Sequence, residues 1–389
     1  MAAAPAAHQN YLQRLYSVAR RDSFNGIVDQ TQKVRLRYWT HWSHFCRTLN
    51  GDVDPFLAGV EVNTQIDLLE GFARYIREGN AGRGHQVRSG SVSDALCAIG
   101  KTFEMARLPN PTYQPTAYGK HWYPLQQILK AYSRSDPKSQ PQLAVPLAVP
   151  EHLVSAALES QSHNPAYTAI ADLTNIAFYY LLRVGEYTRP RNNKTLTVPF
   201  RVMDVTFRNS NGTLIPNTSP LSELLQATEA TIRIPDQKNG TKGQCIHQNC
   251  THTALSPIKS LARRINHIMT NHGNESTPIY HYKHPIYTTW RQVKADEITQ
   301  AVKAAADAVG LYNLGYSKDD VSSHSLRAGG AMAMHLNGID TITIRKMGRW
   351  KSDTFLMYIH EQISAFATGV SIKMSNHIPF RHIAGPTTT

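Results

Sequence analysis

Cysteine is scarce in this chain: Cys46, Cys97, Cys245 and Cys250 are the only four in 389 residues. They are too few and too scattered for a disulfide framework, which points to a reducing compartment. Also missing is any run of about eighteen apolar residues, so no membrane span is expected. The start, Met1 to Asn10, is alanine-rich but has no basic opening and no long apolar core, so it does not read as a secretion signal. Acidic side chains are in deficit, 28 Asp and Glu against 41 Lys and Arg, for a formal charge of +13. Such an excess favours a polyanionic partner, and nucleic acid leads. The acids are dispersed along the chain, so the excess belongs to a folded basic protein and not to a disordered tail. The one glycine-rich loop, Gly79 to Gly84, lacks the Lys-Ser/Thr ending and flanking strand that a nucleotide phosphate loop needs.

The length suits two domains. After a flexible N-terminal segment, 1–30, the N-terminal half reads as helices. Val34, Tyr38, Trp42, Phe45 and Leu49 share one helical stripe over Thr31 to Leu49. Ile66, Leu69, Phe72 and Ile76 mark a second helix, and Val92, Leu96, Ile99 and Phe103 a third, capped within Ser91 to Asp94. Leu125, Leu129 and Tyr132 mark a fourth. Residues 31–135 are thus expected to form a small bundle. Between Gly71 and Ser135 nine basic residues, Arg77 among them, face three acids, as a surface lying along phosphates would. Candidate phosphate contacts are Lys33, Arg35, Arg37, Arg83, Arg88 and Lys101, with Lys242 further on. Prolines 137, 141, 146 and 150 then make 136–150 a semi-rigid linker to a second domain, 151–389, with a tail from about 363.

In that second domain Ala166 to Tyr187 has a helix pattern, with Arg183 near its C-terminal end and Glu186 three residues on. A surface ion pair is the plain reading of those two, but the apolar run Tyr179-Tyr180-Leu181-Leu182 before Arg183 asks for a specific partner. Arg201 to Phe207 alternates like a strand, Asn211-Gly212 gives a turn, and Ala230 to Pro235 is a second strand. Asn239-Gly240 forms a hairpin signal beside Lys238, with a third strand from near Gly243. Cys245, His247, Cys250 and His252 are zinc-binding residue types, crowded into eight positions where tetrahedral geometry is hard to reach, so no metal is expected. Pro257 to Thr270 and Thr288 to Leu311 read as helices. Past Ser322-Ser323, a capping pair, His324 and Arg327 share a face at a helix start, where N–H groups and the helix dipole favour anions. A helix from Thr341 to Met347 ends at Gly348, exposing Arg349 and Trp350, and Phe355 to Ile363 is helical again with Tyr358 on it. The expected fold class is mainly α: an N-terminal helical bundle plus a mixed α+β domain with a small antiparallel sheet.

Leu181-Leu182-Arg183-Val184-Gly185-Glu186, Lys238 before a hairpin turn, His324-Ser325-Leu326-Arg327, Gly348-Arg349-Trp350 and Tyr358 resemble, in order and approximate spacing, the tyrosine recombinase (integrase) family. The resemblance covers nearly the whole chain, since that family also begins with a basic helical core-binding domain joined by a linker to the catalytic domain. Trp350, where many members have histidine, is similar to the Cre-like variant of the site. The run Gly348-Arg349-Trp350-Lys351-Ser352-Asp353 resembles recombinases of Crypton- or DIRS-type eukaryotic mobile elements. Two features depart from the family pattern: Trp350 to Tyr358 is one residue shorter than the usual interval, and the Cys/His-rich segment after Lys238 is foreign to it.

The resemblance implies a site-specific recombinase that cuts and rejoins double-stranded DNA through a 3'-phosphotyrosyl intermediate and a Holliday junction. It implies no cofactor, metal, ATP or small-molecule substrate, and a homotetramer on two DNA sites, with the tail docking on a neighbour or, equally, packing on its own domain. Tyr358 would be the nucleophile; Arg183 and Arg327 would grip the phosphate and favour the phenolate. Lys238 would protonate the leaving 5'-oxygen, His324 would assist proton movement, Trp350 would donate its indole N–H, and Glu186 would orient its neighbours. The mobile-element resemblance implies a nuclear setting; otherwise cytoplasm or nucleoid is expected. Rival readings are a type IB topoisomerase, a catalytically decayed recombinase-like DNA-binding protein, and a zinc-dependent DNA-binding factor built on Cys245, His247, Cys250 and His252.

Overall fold

A computed structural model of the chain describes residues 6–350 and Leu356, apart from positions 28, 50, 83, 116–118, 138–141, 161–163, 191–196, 237–241, 252, 254, 285 and 287. The chain divides into two compact units, Met1–Ser139 and Gln140–Thr389. No helix among the described residues is long and apolar enough to cross a membrane.

The first unit is helical: α1 (Ala6–Asn25), α2 (Asp29–His44, continued by a π turn Phe45–Leu49), α3 (Val62–Arg77), α4 (Ser89–Met105) and α5 (Tyr123–Ser135). The stripes read from the sequence form its core. Tyr38, Trp42 and Phe45 meet Leu69, Phe72 and Ile76 of α3 and Val92, Leu96, Ile99 and Phe103 of α4, all buried. Each such side chain contributes roughly 1.5–3 kcal/mol on leaving water. The indole of Trp42 is wholly buried yet satisfied, donating to the Pro55 carbonyl at 2.8 Å.

The start, expected as a flexible segment, carries α1, an alanine-led opening with good helix formers that leaves Tyr11, Leu15, Tyr16 and Phe24 exposed. Two expectations change in this unit. Helix α4 begins at Ser89, two residues before the expected cap, because the Ser89 N–H is taken by the Asp136 carboxylate at 2.8 Å. And Arg77, counted among the basic residues of a phosphate-facing surface, is buried: it pairs with Asp136, donates to Ser135 and Val87, and lies over the Tyr132 ring. A buried guanidinium needs such partners to offset lost hydration. Arg77 is a clamp between α3 and α5, and Asp136 is held well below the usual carboxylate range, to about 2, by Ser89 and Arg77.

The second unit contains α6 (Ala148–Glu159), α7 (Pro165–Tyr179), α8 (Val184–Tyr187), β1 (Val205–Arg208), β2 (Leu214–Ile215), α9 (Leu221–Leu224), β3 (Glu229–Asp236), β4 (Lys242–Asn249), α10 (Pro257–Thr270), β5 (His281–Lys283), β6 (Trp290–Gln292), α11 (Ala295–Ala308), α12 (Ser323–Leu336) and α13 (Thr341–Gly348). The expected class, helices with a small antiparallel sheet, is what the chain forms. The sheet runs β2-β1-β3-β4, every pair antiparallel, and β5 pairs with β6. Helix α7 is the axis of the unit. It is buried on nearly every side, packed by α6, α10, α11 and α12, which explains its apolar composition.

The proline-rich stretch is shared between the units. Asp136 is fixed inside the first, while Leu143 and Val145 donate their N–H groups to Asp320 and Ser325 in the second. Pro150, read as linker, lies in the first turn of α6, where a missing N–H costs nothing. Two further boundaries move. The Asp204 carboxylate takes the Arg201 N–H at 3.1 Å, closing a 3-10 turn Val202–Asp204, so the strand is Val205–Arg208. Residues 290–292 of the expected Thr288 to Leu311 helix are strand β6; the helix starts at Ala295, where Glu297 caps the Lys294 N–H at 2.7 Å.

Candidate active site

Leu181 is where the expected Ala166 to Tyr187 helix breaks. Helix α7 ends at Tyr179, and Leu181 takes a left-handed backbone, φ 49°, while fully buried. That conformation is costly for a branched side chain. It reverses the chain so that Arg183 becomes the N-cap of α8 instead of a residue near the end of a long helix. The Glu186 carboxylate folds back to accept the Arg183 N–H at 2.9 Å and the Arg183 guanidinium at 3.1 Å. Glu186 is 0% exposed, so this is no surface ion pair.

Helix α12 brings the second arginine. Ser322 caps it, accepting the His324 N–H at 3.2 Å, as the capping pair suggested. Gly330 lets α12 lie against α7: a Cβ there would sit 2.2 Å from the Phe178 carbonyl oxygen. With the helices this close, Arg327, 6% exposed, donates to the Leu181 carbonyl and, through its other terminal nitrogen, to the Gly348 carbonyl. Its guanidinium lies 4.3 Å from the centre of the Trp350 ring. Gly348 is required by that ring, since a Cβ on it would come within 1.6 Å of the indole. His324, one turn before Arg327, is exposed at the helix start; partial desolvation, then the Arg327 charge, push its pKa below the usual histidine value.

Arg349 was expected to be exposed and is the opposite. It takes a left-handed backbone, φ 58°, at the C-cap of α13, which turns its side chain inward until only 1% is exposed. One nitrogen, Nη2, donates to Glu186 at 2.8 Å and to the Leu181 carbonyl at 3.0 Å. Its Nε and Nη1 have no hydrogen-bond partner among the described residues. Three guanidiniums therefore gather around the Glu186 carboxylate and the Leu181 and Gly348 carbonyls. Planar, multiply donating groups of this kind suit an anion with several oxygens.

The surroundings extend that character. A cleft of about 530 Å³ beside the cluster is lined by Gly185 of α8, Thr299 of α11 and Ser322, Ser323 and His324 of α12. Arg189 borders it and also a second cleft of about 400 Å³, lined by Trp290, Arg291 and Lys294. Arg189, Arg291 and Lys294 are all exposed and outnumber the acids that line the same clefts, Asp296 in the first and Glu297 in the second. Among the described residues, Tyr180 and Tyr187, which flank the Arg183 turn, are not poised for chemistry: Tyr180 gives its hydroxyl to the Ala230 carbonyl, and burial pushes both above the usual phenol range.

Of the expected site residues, the structure brings Arg183, Glu186, Arg327 and Trp350 together and sets His324 at their edge. Lys238, Tyr358, Arg83 and His252 lie outside the described residues. Lys238 belongs to the connection between Asp236 and Lys242, which are paired at the ends of β3 and β4; Lys242 itself is 3.9 Å from Asp236. Among the phosphate-contact candidates, Lys33, Arg37 and Arg88 are exposed, Arg35 is half-buried, and Lys101 is paired with Glu104 at 2.6 Å. Lys33, Arg35 and Lys101 border an apolar groove with Leu36, Trp39 and Met105. No group of three or more metal-ligating side chains is found among the described residues; His247 is engaged with Thr231 at 2.7 Å. Arg189, Arg291, Lys294 and Arg349 were missed. The first three had a signal, basic residues flanking predicted elements; Arg349 lay within the Gly348-Arg349-Trp350 run but read as exposed, because it follows a helix-ending glycine.

Fold and site together define a two-unit, mainly helical protein whose larger unit carries a buried arginine cluster around Glu186. No family model matches the sequence, and no curated protein matches it. Similar solved structures are integrases and site-specific recombinases. The Tn1549 transposon integrase in complex with transposon right end DNA aligns at 10% identity and a TM-score of 0.47, over 93% of this chain and 98% of that one. The XerH site-specific recombinase in a post-cleavage complex with palindromic difH substrate aligns at 12% and 0.48, over 82% and 74%. A lambda integrase tetramer bound to a Holliday junction aligns at 15% and 0.43, over 90% and 76%.

Proposed function

We propose that the chain is a tyrosine-type site-specific DNA recombinase. The observation that carries this reading is the convergence of Arg183 and Arg327, far apart in sequence, on the Leu181 turn and buried Glu186, with His324 at the cleft edge. Scissile phosphate held by these arginines has its non-bridging oxygens neutralised as charge builds on them in the transition state. The Tyr358 oxygen attacks phosphorus, the bond to the 5'-oxygen breaks, and Lys238 gives that oxygen a proton. The phenol's own proton passes toward His324, whose lowered pKa keeps it neutral and able to accept. The product is a 3'-phosphotyrosyl bond and a free 5'-hydroxyl, and attack by a 5'-hydroxyl from a second duplex reverses the step on a new partner. Two rounds pass through a Holliday junction and require four protomers on two sites. The exposed basic residues of α2, with Arg189 and Arg291, supply sequence-blind phosphate contacts.

The experiment begins with duplex 80-mers randomised over their centre, from which the protein selects bound sequences; those are then nicked to trap the intermediate. Wild type forms SDS-resistant adducts that map to Tyr358 and to a 3' DNA end. Tyr358→Phe binds the same DNA, with affinity falling steeply as salt rises, and forms none. Binding without adducts favours the decayed DNA-binding reading, and resealing only of the original strand favours a topoisomerase.

A further inference from the structure

The strongest unexplained group in the molecule is Arg349. We propose that Arg349 is a positioning residue of this site: by holding Glu186 and the Leu181 carbonyl from one nitrogen, it keeps the carboxylate shared, so that Glu186 orients Arg183 without neutralising it. The inference rests on the recombinase reading.

Four observations converge on it. Arg349 is buried, so it does not act as a solvent-facing phosphate contact. Its backbone and that of Leu181 are both left-handed, and the two residues meet in one 3.0 Å hydrogen bond. Non-glycine residues in that region cost free energy and persist where surroundings or function demand them. Glu186 takes Arg183 on both oxygens, through the main-chain N–H on one and the guanidinium on the other, and Arg349 competes for the first. Finally, two Arg349 nitrogens lack partners among the described residues, which makes the group a poor stabiliser. Replacing a buried ion pair by apolar or neutral groups of similar volume is often neutral or favourable. Stability alone therefore does not account for Arg349, whereas charge balance at Glu186 does.

The arrangement ties all three arginines to a common pair of acceptors. Arg327 shares the Leu181 carbonyl with Arg349 and uses the carbonyl of Gly348, the residue before Arg349, for its other terminal nitrogen. A shift of the 348–349 turn is thus felt by Arg327 through its backbone partner and by Arg183 through Glu186. Without Arg349, the Glu186 carboxylate closes on Arg183 alone, and one of the two cations facing the phosphate is cancelled.

The test uses full-length protein and the nicked substrate recovered by selection, comparing single-turnover adduct formation with DNA affinity. Arg349→Met should keep wild-type affinity while adduct formation slows about a hundredfold, the scale expected of an angstrom-level misplacement. Arg349→Lys, which retains one nitrogen able to donate to both acceptors, should recover most of the rate. Arg349→Met combined with Glu186→Gln should be faster than Arg349→Met alone, because the unbalanced carboxylate is gone. Thermal melts run beside each assay separate slow chemistry from unfolding. If Arg349→Met cleaves like wild type, or if its defect is unchanged by Glu186→Gln and by lysine, the positioning role is wrong while the recombinase reading stands. If wild type itself forms no adduct, the recombinase reading falls and this inference with it. Should Arg349→Met fail to fold, Arg349→Lys and the double variant still decide the matter.

Discussion

Replacing Glu186 with glutamine removes the carboxylate that Arg183 and Arg349 share while keeping its shape. Glu186 is fully buried and Arg349 nearly so, so the variant strands a desolvated cation whose remaining acceptors among the described residues are an amide oxygen and a carbonyl. Breaking a buried pair by removing one partner costs roughly 3–5 kcal/mol. For a unit of this size each kcal/mol lowers the melting temperature by about 2–4 °C, so the drop should be about 6–20 °C. A bound oxyanion should restore part of it. A ligand specific to the folded state at a hundred times its Kd stabilises by about 2.7 kcal/mol. The assay is thermal unfolding of wild type and Glu186→Gln at pH 7, in chloride and in sulfate at matched ionic strength. Sulfate also strengthens apolar burial in any protein, so the quantity that matters is the excess gain of the variant over wild type. A variant that melts within a degree or two of wild type, or that gains no more from sulfate, would refute a charge-unbalanced site.

Gly330→Ala should destabilise the second unit although alanine normally favours a helix interior by about 1 kcal/mol, since its Cβ would overlap the Phe178 carbonyl and push α12 off α7. Circular dichroism melts give the sign, and a stabilised variant would mean the two helices are not in contact there. His267, which accepts the Lys283 N–H at 2.9 Å, has its pKa pushed down to about 4, first by burial and then by Arg264. The unfolded chain then binds more protons between about pH 6.5 and 4, so stability present above that window is lost as pH falls through it, by at most about 3 kcal/mol. Urea unfolding at pH 7 and pH 4.5 should differ less in His267→Asn than in wild type; equal losses would remove His267 from the acid sensitivity.

How much of this was legible in the sequence follows the physics of each feature. Helical stripes were, because a period of 3.6 records which face leaves the water; Trp42, Phe72 and Leu96 were placed in one bundle on that ground and are buried together. The antiparallel strands around residues 205–249 were legible from alternation, and the β1–β2 turn from Asn211-Gly212. Boundaries were not. They depend on side chains that cap from a distance, such as Asp136 on Ser89, and on a strained residue, Leu181, whose type argues for continued helix. Arg77 and Arg349 escaped for a related reason. Charge in a sequence reads as solvent exposure, and only the tertiary partners Asp136 and Glu186 overturn it.

The short interval before Tyr358 takes on a different meaning beside the geometry of Arg349. Trp350 stands eight residues before that tyrosine and Arg349 nine, so counting from Arg349 gives the interval that counting from Trp350 lacks. The face of Trp350 lies on Arg327, and Gly348 is bare because the indole rests on it. The next side chain along the same turn, Arg349, is the one that reaches Glu186. The left-handed backbone of Arg349, directly after the helix, turns that side chain onto Glu186 and Leu181 while Trp350, one residue on, covers Arg327. Both neighbours therefore reach the cluster, and the longer interval belongs to the one that holds its carboxylate.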